Sequence, residues 1–246
     1  MGIFNHYLKE GAGVSKDQAV ETSPVKRFFQ VFAHRFWQLI FLNLLYLLAC
    51  VPVVTIGPAT AAMNYVCRNF SQRKPVDFFS DFVLKCKEHF RQGIAVWGVQ
   101  TVSVVLLVFA IQLWSDPTLG AFMPSALRTV ALVVLFLFGY LVLCAGFYIY
   151  PMMVSFDLSL WQLFKNSMIF SMYKIGQNLA MALFSVVIYG LCIFFWPASF
   201  PVLLFLAFTL VAFFNNFWVY PLLEKYIALP EDTKEAEEES VFEDNL

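Results

Sequence analysis

Four long stretches of this sequence contain no Asp, Glu, Lys or Arg: residues 36–67, 92–115, 129–156 and 175–223. A bilayer core excludes charged side chains at about 2.5 to 3.5 kcal/mol each, so charge-free runs of this length are typical of membrane spans. Composition agrees, since 60% of the 246 residues are hydrophobic and only 13% are charged. We therefore expect an all-α polytopic membrane protein.

The length of each stretch and the positions of its prolines predict the individual spans. A spanning helix needs about 20 apolar residues. The last stretch is interrupted by Pro197 and Pro201, so it is interpreted as two helices with WPASFP as the turn between them. Four clear transmembrane helices are predicted, at 93–114, 127–150, 175–196 and 200–220.

Residues 36–70 are too long for one helix and are broken by Pro52, Gly57 and Pro58. Proline removes a backbone donor and clashes with the preceding turn, so the chain must bend near VPVVTIGP. One interpretation is a single crossing followed by a surface segment. The other is a broken helical hairpin with arms 36–51 and 56–70, which are only about 22 to 24 Å long and therefore either tilted or partly re-entrant.

The distribution of positive charge favours the hairpin. With a hairpin, fifteen of the sixteen Lys and Arg residues share one face and Arg128 lies opposite, whereas a single crossing divides them ten to six. By the positive-inside rule both termini are expected in the cytoplasm of a multi-pass protein. Residues 1–35 are then a cytoplasmic amphipathic arm, 36–223 the transmembrane bundle and 224–246 an acidic, disordered cytoplasmic tail.

Two further segments, 77–91 and 157–172, are predicted to be helices lying in the cytoplasmic interface. Each begins at an Asp, a good amino-terminal cap, and each has an apolar stripe at helical spacing. The stripes are Phe79, Phe82, Val83, Cys86 and Phe90 in the first, and Trp161, Phe164, Met168 and Met172 in the second. Short connecting helices docked on the bundle are the alternative, as is a specific role in docking a partner.

One sequence ending occurs twice, as FYIYPMM at 147–153 and FWVYPLL at 217–223. Tyr favours the headgroup layer because its ring is apolar and its hydroxyl binds water, and Pro is expected to stop the helix there. A duplicated ancestral unit is the other explanation.

The sequence offers little for catalysis. The membrane stretches contain no ionisable carboxylate, Lys or His, and the five cysteines and three histidines show no ligand spacing. We therefore expect no enzymatic activity, no cofactor, no metal site and no nucleic-acid partner.

Uncharged polar and small residues are the remaining candidates for a functional site. They hydrogen-bond or pack between helices in one interpretation, and line a polar cavity for a neutral solute such as a sugar in the other. The broken hairpin is the best candidate for lining such a cavity. The candidate residues are Asn43, Thr55, Gly57, Pro58, Thr60, Asn64, Asn215 and Asn216.

Residues 29–70 resemble the YesL family of bacterial integral membrane proteins. The elements LNLLYLL, PVVTIGPATA and RNF carry most of the resemblance, together with MGIFN at the start and SDF at 80–82. That resemblance implies a polytopic plasma-membrane protein, often encoded near carbohydrate import systems and their regulators, with no known reaction. The resulting hypothesis is an accessory or assembly component of carbohydrate uptake, with the lipid bilayer and sugar ABC importer subunits as partners. The alternative is a small carrier or channel for an uncharged solute.

Overall fold

The computed structural model describes residues 23–116 and 124–227, and in this part of the chain every regular element is helical. The helices are α1 (Pro24–Ala49), α2 (Ile56–Ser71), α3 (Phe78–Glu88), α4 (Phe90–Ser115), α5 (Ser125–Met153), α6 (Leu160–Tyr173), α7 (Ile175–Phe194) and α8 (Phe200–Ile227). A 3₁₀ turn, Val53–Thr55, joins α1 to α2, and a π turn, Leu203–Ala207, lies within α8. The predicted acidic tail and most of the predicted amino-terminal arm lie outside the described residues.

Five of these helices, α1, α4, α5, α7 and α8, are long and apolar enough to cross a membrane. In their most apolar windows α4 and α5 bury only 6% and 11% of their residues inside the protein, at mean hydropathies of 2.3 and 2.7. Such unburied apolar helices fit contact with lipid tails. The chain is thus an all-α polytopic membrane protein, as the charge-free stretches predicted.

Protein, rather than lipid, surrounds α2. Twelve of its sixteen residues are buried, and helices α1, α3, α4, α5 and α8 pack against it. Sixteen residues give about 24 Å of helix, less than the roughly 30 Å hydrocarbon core. Because other helices cover α2, its length does not need to match the thickness of the bilayer.

α1 and α2 form an antiparallel hairpin that reverses around Pro52. The Tyr46 hydroxyl in the last turn of α1 lies 3.3 Å from the Thr60 hydroxyl in α2. Farther from the bend, Nη2 of Arg35 donates to the carbonyl oxygen of Lys74 over 3.4 Å. These two contacts come from opposite ends of the pair, so α2 runs back along α1.

α1 begins at Pro24, well before the hairpin arm that was predicted to start at residue 36. Ser23 caps its amino terminus, since Oγ accepts a hydrogen bond from the backbone N–H of Lys26, and Pro24 occupies the first helical position. Phe28 packs against the rings of Phe213 and Phe217 in α8. This aromatic contact joins the first turns of α1 to the second half of α8.

The core consists of two apolar clusters, and α2 contributes to both. The first joins α1, α2 and α8 through residues such as Leu39, Val66 and Phe213. The second joins α5, α6 and α8 through Tyr148, Leu163 and others, and it includes Ala61 of α2. The small side chains of GPATAAM thus lie where helices pack on both sides of α2.

The prediction that Pro ends the helix in both Tyr-Pro segments is wrong. Pro151 lies inside α5, which continues to Met153, and Pro221 lies inside α8, which continues to Ile227. Helices tolerate proline in such bundles where neighbouring groups satisfy the freed backbone atoms. Tyr150 is 7% exposed and packs in the second core cluster.

The structure also corrects how α3 and α6 are capped. Ser159, rather than Asp157, caps α6, in a reciprocal capping box with Gln162. Asp77 stands at the cap position of α3 but its side chain makes no capping bond. The buried face of α6 is Leu163, Ser167, Phe170 and Ser171. Two members of the predicted stripe, Trp161 and Met172, are exposed, so the protein leaves them open to the predicted membrane interface.

Candidate functional site

Asn43 is fully buried and binds the backbone of the π turn in α8. Its Nδ2 donates to the carbonyl oxygens of Leu203 (3.1 Å) and Leu204 (2.8 Å), and its Oδ1 accepts from the backbone N–H of Thr209 (3.0 Å). A π turn interrupts the regular hydrogen-bond ladder of a helix, and buried backbone groups need partners. The amide of Asn43 supplies these partners, so its hydrogen-bonding groups serve the α1–α8 contact.

Asn64 and Asn216 form a second polar contact, between α2 and α8. Nδ2 of Asn216 donates to Oδ1 of Asn64 over 2.7 Å and to the carbonyl oxygen of Ala212 over 2.8 Å. Nδ2 of Asn64 donates to the carbonyl oxygen of Thr60 over 2.7 Å. Within the described residues, Oδ1 of Asn216 and Oδ1 of the neighbouring Asn215 are buried without a hydrogen-bond partner.

Thr55 and Thr60 stabilise the hairpin itself. The Thr55 hydroxyl lies within hydrogen-bond distance of the carbonyl oxygens of Ala49 and Pro52, across the bend. Oγ1 of Thr60 donates to the carbonyl oxygen of Ile56 over 2.7 Å and also contacts Tyr46. Both hydroxyls therefore satisfy groups of the broken backbone.

Gly57 and Pro58 lie where the backbones of α2 and α4 touch. A Cβ atom on Gly57 would lie 2.1 Å from the carbonyl oxygen of Gly93, and one on Gly93 would lie 2.7 Å from the nitrogen of Pro58. Neither position has room for a side chain. The crossing of α2 and α4 thus depends on glycine in both helices, as small-residue packing in membranes does.

The eight predicted site residues fall into separate contacts. The structure brings Asn64 together with Asn216, and Thr60 with Tyr46, whereas Asn43 binds a different part of α8. These are contacts between helices. The solute cavity stays a prediction. The atoms that such a solute would contact on α8 are Oδ1 of Asn215 and Oδ1 of Asn216, which have no hydrogen-bond partner among the described residues.

Arg68, which is not among the predicted site residues, links the end of α2 to the end of α5 and to α8. Its Nη1 donates to the carbonyl oxygen of Val154 over 2.6 Å and to Oγ of Ser155 over 3.0 Å, just beyond α5. Its guanidinium carbon lies 4.8 Å from the centre of the Tyr65 ring and 5.7 Å from that of Tyr220. Arg68 therefore touches the segments around both Tyr-Pro repeats.

A cavity of about 540 Å³ lies between the start of α1, the end of α2 and the end of α8. We call it the α1–α8 cavity. Its wall includes charged, amide and aromatic side chains: Arg27, Gln72, Lys74, Trp218, Tyr220 and Glu224. None of the eight predicted residues lines it. This cavity could not be predicted from sequence, because its wall combines three segments that are distant in the chain.

Two residues of the cavity wall carry polar atoms that are buried and unsatisfied within the described protein. Both amide atoms of Gln72 and Nε1 of Trp218 are buried without a hydrogen-bond partner. The guanidinium of Arg27 lies 5.9 Å from the centre of the Phe217 ring. In residues 23–116 and 124–227, neither Arg27, Lys74 nor Glu224 forms an ion pair. The accessible wall of the cavity therefore offers charges of both signs to a ligand, whereas the amide of Gln72 and the indole N–H of Trp218 lie beneath its surface.

A family described as "Protein of unknown function, DUF624" matches residues 39–111 of this chain. The matched region runs from the middle of α1 almost to the end of α4, so it includes the hairpin and the crossing of Gly57 with Gly93. No curated protein and no solved structure matches the chain.

Proposed function

We propose that this chain is a non-catalytic integral membrane protein that acts as an accessory or assembly component of carbohydrate uptake. The observation that carries the proposal is that the polar side chains in the bundle form hydrogen bonds between helices. The amides of Asn43, Asn64 and Asn216 hydrogen-bond to neighbouring backbone and side chains, so they hold helices together. This use favours a protein that acts through its surfaces.

The link to carbohydrate uptake rests on the resemblance to the YesL family, whose members are often encoded near carbohydrate import systems. Sugar ABC importer subunits are accordingly the proposed partners, in a bacterial plasma membrane. The distribution of Lys and Arg supports an orientation with both termini in the cytoplasm.

Capture of partners from native membranes tests this proposal. The full-length chain, carrying an affinity tag, is crosslinked mildly in its native membranes during growth on a carbohydrate, then purified and its partners quantified. We expect importer subunits in stoichiometric amounts. Recovery of the chain without importer subunits, across carbohydrates whose importers are expressed, would contradict the proposal.

The second candidate function is a small carrier or channel for an uncharged solute. It is favoured by the buried, unpartnered Oδ1 atoms of Asn215 and Asn216, which could accept hydrogen bonds from solute hydroxyls. Proteoliposomes containing only this chain separate the two functions. Sugar flux that is lost in Asn216→Leu but kept in Thr101→Val, an exposed position on α4, would establish the carrier and overturn the accessory role.

A further inference from the structure

The α1–α8 cavity lies where the membrane-spanning helices acquire their first charges. The charge-free stretch 175–223 ends at Glu224, which lines the cavity, and Arg27 lines it from the first turn of α1. Trp218 and Tyr220 stand beside them, and these two residue types are enriched in the headgroup layer. The cavity thus opens at the depth of lipid headgroups.

The charges of the cavity have both signs. Arg27 and Lys74 supply two cations from α1 and from the segment after α2, and Glu224 supplies one carboxylate from α8. Because they form no ion pair with one another or with other described residues, they are available to a ligand. A ligand with one anionic and one cationic group would match all three, whereas a purely anionic ligand would pair with the two cations and leave Glu224 without a partner.

The neutral polar groups lie deeper in the wall. Nε1 of Trp218 is a donor only, and the amide of Gln72 both donates and accepts. All three atoms are buried and unpartnered among the described residues. Buried polar groups normally have partners, but these three atoms are closed to a molecule the size of water, so a ligand would contact the charged groups of the accessible wall.

The geometry points to a binding site for one zwitterionic aminophospholipid, of the phosphatidylethanolamine type. The phosphate binds Arg27 and Lys74, and the ammonium binds Glu224. A cavity of this volume is within the usual range of ligand sites, about 300 to 1,000 Å³. This inference is independent of the proposed role in carbohydrate uptake.

Lipid retention by the purified full-length chain tests the assignment. The protein is equilibrated with equimolar phosphatidylethanolamine and phosphatidylglycerol of identical acyl chains, and the retained lipid is counted by native mass spectrometry. We expect one phosphatidylethanolamine per chain, preferred about tenfold over phosphatidylglycerol, which is the scale of one charge-assisted hydrogen bond. Equal retention of the two lipids, or no retained lipid, would overturn the site.

Charge variants separate this site from general lipid binding. Arg27→Gln and, independently, Lys74→Gln should lower phosphatidylethanolamine retention about tenfold. Glu224→Gln should remove the preference between the two lipids by raising phosphatidylglycerol retention. The adjacent exposed residues give matched controls, Lys26→Gln and Lys225→Gln, which should behave as the unchanged protein. If Arg27→Gln and Lys26→Gln retain the same lipid, the assignment is wrong.

A soluble molecule that carries the same two charges is the alternative ligand for this cavity. Phosphoethanolamine added at the concentration of the lipid should leave the bound phosphatidylethanolamine in place, because the acyl chains also contribute to binding. Displacement by phosphoethanolamine at that concentration would show that the cavity binds a soluble zwitterion and not a membrane lipid.

Discussion

Nδ2 of Asn216 in α8 donates a hydrogen bond to Oδ1 of Asn64 in α2 over 2.7 Å, and both side chains are buried. The bond connects the central helix of the bundle to the last one across 152 residues of sequence. Hydrogen bonds of this type in membrane proteins contribute about 0.6 kcal/mol on average and up to about 1.7 kcal/mol.

The first prediction concerns this amide pair. Asn64→Ala and Asn216→Ala should each lower the free energy of unfolding, and the double variant should lose less than the sum of the two. We expect a coupling energy of about 0.6 to 1.7 kcal/mol, measured by thermal unfolding of the four proteins in one detergent. Thr101→Val, at an exposed position of α4, serves as the control for a polar residue that has no such bond. Strict additivity would show that the two side chains are not energetically coupled, which would contradict the hydrogen bond between them.

The second prediction concerns the crossing of α2 and α4. Gly93→Ala should destabilise the protein by about 1 to 3 kcal/mol, since the new methyl group would overlap the backbone of Gly57 and Pro58. Gly98→Ala is a matched control on the same helix, because a Cβ atom there meets nothing within 4 Å. That control should be neutral or stabilise the helix by about 0.5 to 1 kcal/mol. Equal thermal stabilities for the two variants would contradict the close crossing.

The third prediction concerns His89, between α3 and α4. Burial lowers the pKa of its imidazole below the ordinary value of 6.5, and the cations Lys85 and Arg68 act in the same direction, against Glu88 and Gln92. The folded state therefore favours the neutral ring. Its contribution to stability is complete above pH 6.5 and is lost as the pH falls from 6.5 through the lower folded pKa.

The melting temperature measured between pH 7.5 and pH 5.5 checks this sign. It should fall more steeply with acidification in the unchanged protein than in His89→Asn, which cannot titrate. His34→Asn, at an exposed position on α1, is the matched control and should keep the steep dependence. Parallel curves for the unchanged protein and His89→Asn would rule out a lowered pKa.

The membrane architecture could be predicted from sequence because exclusion of charge from lipid acts on composition alone. The hairpin was predictable because Pro52 and Pro58 interrupt a stretch that is too long for one helix and whose basic flanks favour one face. The π turn was not predictable, because Asn43 stabilises it from a helix about 160 residues away. Pro151 and Pro221 were misjudged because their own helices continue in protein surroundings, which local sequence does not report.

The α1–α8 cavity could not be predicted either, because local sequence does not report which helix ends pack together. The hydrogen-bonding residues in the bundle could be recognised because polar side chains are rare in apolar runs. Arg27, Gln72 and Glu224 carry no such signal, since charged and amide residues are ordinary at helix ends. Only the packing of α1 and α8 on α2 brings them to one cavity.

The last prediction concerns orientation in the membrane. Tyr148 hydrogen-bonds to Asn178, and Nε2 of Gln177 donates to the carbonyl oxygen of Trp218 over 2.7 Å. The end of α5, the start of α7 and the second half of α8 therefore lie together, and Ser125 at the start of α5 lies roughly 35 Å along the helix from Tyr148. Ser125 and Lys225 are thus expected on opposite faces of the membrane, with Lys225 in the cytoplasm.

Cysteines introduced one at a time at these two exposed positions test the orientation. The native Cys67, Cys144 and Cys192 are buried and are kept. In a background with Cys50 and Cys86 replaced by Ser, Ser125→Cys should react with a membrane-impermeant maleimide in intact cells. Lys225→Cys should react only after permeabilisation. Cys86 itself is a poorer probe because it is partly buried. A lack of labelling there would fit either burial or a cytoplasmic location. Labelling of Lys225→Cys alone in intact cells would reverse the proposed orientation. Labelling of both variants would contradict the crossing of the membrane by α5, because Ser125 lies at its start and Lys225 lies on α8 near its other end.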